Sequence, residues 1–134
     1  MSYIQSNAVI SLPNGNASIA VADSGKYFIL VQSAAQTISL PAVQRGLSYT
    51  FILGTADIFT SRIVATAGTP IVGHVVSGPL AAPVVTVGAG TIAVNFSTTC
   101  VVGDRIDIFS DGINWFVSGK SGSNAANTAI TFTA

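Results

Sequence analysis

Val, Ile and Thr make up 42 of the 134 residues, whereas Leu, Met, Gln, Lys, Arg and Glu together supply only 16. Side chains branched at Cβ lose χ1 freedom in a helix and pack well on a pleated surface. No segment carries an apolar i, i+3, i+4, i+7 stripe over three turns. Short apolar or alternating runs separated by Gly, Pro, Asn or Ser recur instead. The chain therefore reads as all-β. Strands are expected at 17–22, 26–32, 36–40, 48–53, 62–67, 71–77, 84–87, 91–96, 105–110, 113–118 and 129–133. Turn residues lie between them, as in Leu12-Pro13-Asn14-Gly15, Asp23-Ser24-Gly25, Gly78-Pro79, Gly88-Ala89-Gly90 and Asp111-Gly112. A turn every 8 to 12 residues or so is the rhythm of an antiparallel β-sandwich or jelly roll. The length suits one domain. Residues 1–16 read as an N-terminal arm, 17–118 as the sandwich, and 119–134 as a small, polar connector leading to a terminal strand. That strand packs either on its own sheet or on a neighbouring subunit.

Charge narrows the function classes. Five Lys or Arg face five Asp, with no Glu, so charged residues are 7% of the chain and the net charge is zero. No basic stripe exists to neutralise phosphates, which removes the usual source of nucleic-acid affinity. Mean hydropathy of +0.64 argues equally against polar disorder. The charge-free stretch between Arg62 and Asp104 is cut by Gly68, Pro70, Gly73, Pro79, Pro83, Gly88 and Gly90. It cannot supply the roughly 20 continuous apolar helical residues of a membrane span. The N-terminus has neither a basic region nor an apolar run of signal-peptide length, so an export signal is not expected. One cysteine cannot form an internal disulfide.

The most definite local structure is the run RIDIFS-DG-INWFVS, residues 105–118. Asp111-Gly112 suits a two-residue type I′ hairpin loop. That loop pairs Ser110 with Ile113, Ile108 with Trp115 and Ile106 with Val117. Ile106, Ile108, Ile113, Trp115 and Val117 then share the core face, with Trp115 as its anchor. Arg105, Asp107, Phe109, Asn114, Phe116 and Ser118 share the other.

Chemistry-bearing motifs are few. Gly88-Ala89-Gly90-Thr91-Ile92-Ala93 fits G-x-G-x-x-A, but a strand-like run follows where a dinucleotide site needs a helix. Gly119-Lys120-Ser121 lacks the first glycine of a P-loop, the position being Asn114. His74 is the single imidazole and has no H-x-H or C-x-x-C partner, so it reads as structural. Cys100 reads as a small buried hydrophobe. Asp104, Asp107 and Asp111 lack calcium-loop spacing, and no serine sits in G-x-S-x-G. Asn16-Ala17-Ser18 and Asn95-Phe96-Ser97 fit the glycosylation sequon. No catalytic, cofactor or metal residues are assigned, and the protein reads as non-enzymatic. Ten charges over roughly 6,600 Å² of surface is sparse for a small soluble monomer. Self-association or docking on a larger assembly is the expected use of such an exterior.

Gly103-Asp104-Arg105-Ile106-Asp107-Ile108-Phe109-Ser110-Asp111-Gly112-Ile113-Asn114-Trp115-Phe116-Val117 resembles the G-D-x-[IV]-x-[IL]-x-S-D-G-x-N-W-x-V hairpin of virion structural proteins of tailed phages and large DNA viruses. Upstream, Ile38-Ser39-Leu40-Pro41-Ala42 with Gly46 and Tyr49 looks like the I-x-L-P-A…G…Y element that often precedes it. The resemblance implies a capsid decoration, minor capsid or fibre module, commonly trimeric, with no cofactor. Its partners would be further copies of itself and the major capsid protein or other virion proteins, placing it on the capsid surface. The rival expectation is a receptor- or glycan-binding module of a viral fibre, with Tyr27, Tyr49 or Trp115 lining an open groove. A secreted or fimbrial β-domain would call for an export signal.

Overall fold

The computed structural model describes residues 9–12, 15–31, 34–55, 60–66, 68–78, 84–123 and 129–133. Residues 1–8 of the expected arm, 124–128 of the connector, the strand ends Gln32 and Ala67, and the turn residues Pro13, Asn14 and Pro79 lie outside them. The described residues form strands β1 (Val9–Leu12), β2 (Ala17–Ser18), β3 (Tyr27–Leu30), β4 (Gln36–Ser39), β5 (Arg45–Leu53) and β6 (Ser61–Val64). They continue with β7 (Ile71–Ser77), β8 (Val84–Thr91), β9 (Ala93–Phe96), β10 (Arg105–Asp111), β11 (Trp115–Ser121) and β12 (Ile130–Thr133). A seven-stranded sheet in the order β1-β3-β5-β10-β11-β7-β8 packs on a five-stranded sheet in the order β12-β9-β6-β4-β2.

The all-β sandwich is thus as composition requires, but its pairing is mixed. Five strand pairs are antiparallel and five are parallel. The cause is the path of the chain. From β1 to β6 successive strands alternate between the two sheets. A chain that crosses the sandwich twice returns in its first direction, so β1, β3 and β5 run parallel, as do β2, β4 and β6. The opposite sheet supplies the crossover that parallel pairing demands. Among the described residues only β7–β8 and β10–β11 are sequential antiparallel pairs within one sheet. A turn every ten residues or so serves a hairpin and a sheet crossing equally well, which is why spacing alone suggested antiparallel sheets.

Two expected boundaries shift. Val9–Leu12, placed in the arm, is an edge strand beside β3 with Leu12 in the core. Gly119–Ser121, placed in the connector, completes β11. The terminal strand β12 joins its own chain's sheet, antiparallel to β9.

The core is aromatic at its centre. Phe28 stacks on Phe51 at 5.3 Å between centroids, Phe28 meets Tyr49 at 6.2 Å, and Tyr49 meets Trp115 at 6.0 Å. Trp115 is fully buried and its Nε1 has no hydrogen-bond partner among the described residues. Removing roughly 150–250 Å² from water at about 25 cal/mol per Å² stabilises by roughly 4–6 kcal/mol. An unmade hydrogen bond costs about 1–3 kcal/mol, so burial wins. Tyr49 satisfies its hydroxyl by donating to the Ala20 carbonyl at 3.0 Å. Burial, with the Asp23 charge adding to it, raises its phenol above the ordinary pKa.

Ile106, Ile108, Trp115 and Val117 all face the core, but the hairpin register differs from the expected one by two residues. Ser110 pairs with Trp115, Phe109 with Phe116 and Ile108 with Val117. Asp111 stays in β10, and its Oδ1 accepts the N–H groups of Ile113 and Asn114, both at 2.8 Å. These two bonds hold the Asp111 carboxyl below its ordinary pKa. The carboxylate replaces a backbone acceptor and widens the loop beyond the two residues of a type I′ turn. Gly112 provides a positive φ of 100° within it. A slip of two preserves both faces of a strand. Only Ile113 changes place: it leaves the core face for the tip of the hairpin, where it is 71% exposed.

Asp104 is the one buried carboxylate among the described residues. It accepts from Ser121 Oγ at 2.6 Å, the Val101 N–H at 3.0 Å and the Gly122 N–H at 2.8 Å, tying the loop before β10 to the end of β11. Nearby, Cys100 is buried and its thiol points to the Ala129 carbonyl.

Two substitutions test this framework by urea denaturation. Asp104→Ala strands three donors and is expected to lose about 1–3 kcal/mol. Gly73 lies in β7 at φ 147°, opposite Val117 of β11, and an added Cβ would fall on the Val117 carbonyl. Gly73→Ala is expected to cost about 3 kcal/mol or more, since strained backbone and overpacking combine.

Candidate docking surface

Strand side chains alternate between faces, so burying Leu47, Tyr49, Phe51 and Leu53 of β5 turns Ser48, Thr50 and Ile52 outward. The same alternation in the neighbouring strands, joined by register, makes three rows on the outer face of the seven-stranded sheet. One contains Val9, Tyr27, Thr50, Asp107, Ser118 and His74. The next contains Ser11, Ile29, Ile52, Arg105, Lys120 and Val76. The third contains Ser48, Phe109, Phe116 and Val72. At its centre Phe109 and Phe116 stack with centroids 5.4 Å apart, and Phe109 is 54% exposed.

The opposite outer face differs in kind. On the five-stranded sheet one row runs Thr131, Asn95, Arg62, Thr37 and the next Thr133, Ala93, Val64, Ser39, the latter ending on Ser18. Asn95 Nδ2 donates to Thr131 Oγ1 at 3.3 Å and Thr133 Oγ1 at 3.2 Å, and Arg62 Nη2 donates to Thr133 Oγ1 at 3.4 Å. Thr133, Ser39 and Ser18 of these rows are exposed and Thr131, Arg62, Thr37 and Val64 are half-buried, while Ala93 and Asn95 at the centre are buried. The large apolar side chains on the first face reach solvent at Val9, Tyr27 and Phe109.

Three polar side chains on this face bond one another. Asp107 accepts from Arg105 Nε at 3.2 Å and Nη2 at 3.0 Å, and from Thr50 Oγ1 at 2.6 Å. The Arg105 guanidinium also lies 6.0 Å from the centre of the Tyr27 ring, within cation–π range. Partial burial pushes the Asp107 carboxyl up, but the hydrogen bonds from Arg105 and Thr50 outweigh it, and the pKa settles below the ordinary value. The bond to Asp107 raises Arg105 in turn. Lys120 stands directly across from Arg105. Beside them an open hollow of about 280 Å³ is lined by Val101, Val102, Gly103, Asp104, Arg105, Lys120 and Gly122. Of its charged lining, Arg105 is bonded to Asp107 and the buried Asp104 already accepts from three donors.

Of the aromatic residues weighed for an open sugar groove, Tyr49 and Trp115 are buried in the core and only Tyr27 reaches the surface. His74 is exposed on the outer row. Asn95 of the second sequon is 5% exposed and is engaged with the threonines. Among the described residues no three His, Cys, Asp or Glu side chains gather. What this face offers is contact area. Phe109, Phe116, Arg105 and Asp107 were placed together by alternation in the hairpin. Val9, Tyr27, Ile29, Ile52, Val72 and Val76 were not, because parallel neighbours leave no turn from which to read a register. Tyr27-Phe28-Ile29-Leu30 and Phe51-Ile52-Leu53 did carry a signal, since unbroken apolar runs mark strands covered on both sides.

No family model matches the chain, and no curated protein or solved structure matches it.

The depressed pKa of Asp107 sets the sign of a pH effect. A carboxyl whose folded-state pKa lies below the unfolded value of about 3.9 contributes stability that is complete above that value and is lost as pH falls through the folded pKa. Asp107→Asn is therefore expected to lose less of its urea midpoint than the wild type between pH 7 and pH 3.

Proposed function

We propose that this protein is a non-enzymatic structural component of a virion, a capsid decoration (cement) or minor capsid protein that self-associates and adheres to the capsid lattice. The observation that carries the reading is the outer face of the seven-stranded sheet, where Phe109 and Phe116 stack at 5.4 Å beside the exposed Val9 and Tyr27 and the half-buried Ile29, Ile52, Val72 and Val76. The resemblance of residues 103–117 to the virion hairpin supports it and implies three copies, with the major capsid protein or another virion protein as lattice partner. The mechanism is adhesion. At about 25 cal/mol per Å², covering an apolar sheet face stabilises association without any chemical step. Bridging neighbouring capsomers then adds contacts that resist pressure from within the particle. Low net charge favours this, since copies that carry no net charge do not repel one another. Size-exclusion chromatography with light scattering at micromolar concentration is expected to give a multiple of the 13.6 kDa chain mass. A stable single-chain species overturns the self-association. A density map of the particle that lacks the protein on the capsid exterior overturns the location.

A further inference from the structure

We propose that the Asp111-Gly112 peptide is a site of backbone isomerisation to isoaspartate, and that the hairpin loop suppresses this modification in the folded protein by holding both reacting groups in other bonds. It is independent of the function proposed above.

The reaction needs nothing but the chain and water. The Gly112 nitrogen forms a bond to Asp111 Cγ, and the carboxyl hydroxyl leaves with the nitrogen's proton as water, closing a five-membered succinimide. Water then adds to the ring carbonyl that was the Asp111 main-chain carbonyl and opens the ring there. The chain afterwards runs through Cβ and Cγ, the α-carboxylate hangs free, and the mass is unchanged. Of the five aspartates only Asp111 is followed by glycine, the residue whose missing Cβ hinders the attack least.

The loop cannot dispense with this dipeptide. Gly112 has a φ of 100°, where a side chain brings strain, and Asp111 supplies the oxygen that closes the loop. Protection therefore has to come from geometry, and three hydrogen bonds supply it. The Gly112 N–H donates to Ser110 Oγ at 3.0 Å. Asp111 Oδ1 accepts the Ile113 and Asn114 N–H groups, both at 2.8 Å. Closing the ring must turn the face of the carboxyl group to the Gly112 nitrogen, which draws Oδ1 away from those two donors. It must also take the Gly112 proton from Ser110, whose side chain is buried. The backbone leading into the loop is fixed as well, because Ser110 pairs with Trp115 and Asp111 with Arg45. The same two bonds to Oδ1 hold the carboxyl below its ordinary pKa, whereas the ring closes from the neutral acid.

Timed incubation of the full chain in mildly acidic buffer tests this. Trypsin then releases the peptide 106–120, bounded by Arg105 and Lys120, and electron-transfer fragmentation locates isoaspartate at residue 111. The folded wild type is expected to isomerise at least about tenfold more slowly than the same chain unfolded in urea, the scale of effect that misplaced reacting atoms produce. Ser110→Ala removes the acceptor of the Gly112 N–H and is expected to raise the folded-state rate about 2- to 10-fold, the worth of one hydrogen bond. Ser118→Ala, exposed on β11 of the same hairpin, is expected to leave the rate unchanged. Circular dichroism and urea midpoints verify that the folded samples are folded. An unfolded chain without isoaspartate at residue 111 overturns the site, and a folded wild type that isomerises as fast as the unfolded chain overturns the protection. So does a Ser110→Ala rate no higher than that of Ser118→Ala, or one that climbs in low urea with the globally unfolded fraction, since that reports unfolding instead of the loop.

Discussion

A β-strand shows its side chains to two sides, and the larger sheet of this protein carries large apolar side chains on both. The inner side is filled by Phe28, Tyr49, Phe51, Ile106, Ile108 and Trp115, which hold the two sheets together. Among the described residues the outer side has no second layer above it, yet it carries Phe109, Phe116, Tyr27, Ile29, Ile52, Val72 and Val76 beside Thr50, Asp107, Ser118, Arg105 and Lys120. Parallel strands are ordinarily covered on both faces, and here three of the outer strands meet in parallel pairs. The adhesive reading of the molecule follows from that uncovered side.

The path of the chain makes this arrangement possible. Six strands in succession cross from sheet to sheet, so each sheet is assembled from segments distant in sequence. Contacts of that kind order late and are costly in loop entropy. The compensation comes from dense side-chain contact at the centre and from a few specific ties. The Asp104 carboxylate with Ser121, Val101 and Gly122 is one. Gly73, which lets β7 approach the Val117 carbonyl of β11, is another.

Charged side chains serve local structure here. Asp111 closes the hairpin loop, Asp104 fastens the end of β11, Asp23 bonds Lys26 at 2.8 Å, and Asp107 bonds Arg105. Few charges are left to build a field around the molecule. A surface of this kind discriminates partners by shape and apolar contact more than by long-range attraction.

Much of this was readable in the residues alone. The excess of Val, Ile and Thr dictates strands, because side-chain branching acts locally and needs no tertiary context. Alternation in residues 105–118 dictates which side chains of that hairpin share a face, and so places Ile106, Ile108, Trp115 and Val117 in the core. The direction of pairing was not readable, because a turn every ten residues fits a hairpin and a sheet crossing alike. The two-residue shift at Asp111 was not readable either, since Asp-Gly closes a narrow loop or a wider one depending on where the carboxylate finds its donors. The outer face centred on Phe109 and Phe116 took shape only in three dimensions. Its rows join residues from β1, β3, β5, β10, β11 and β7, and register between strands so far apart in the chain is set by packing against the other sheet rather than by any local preference.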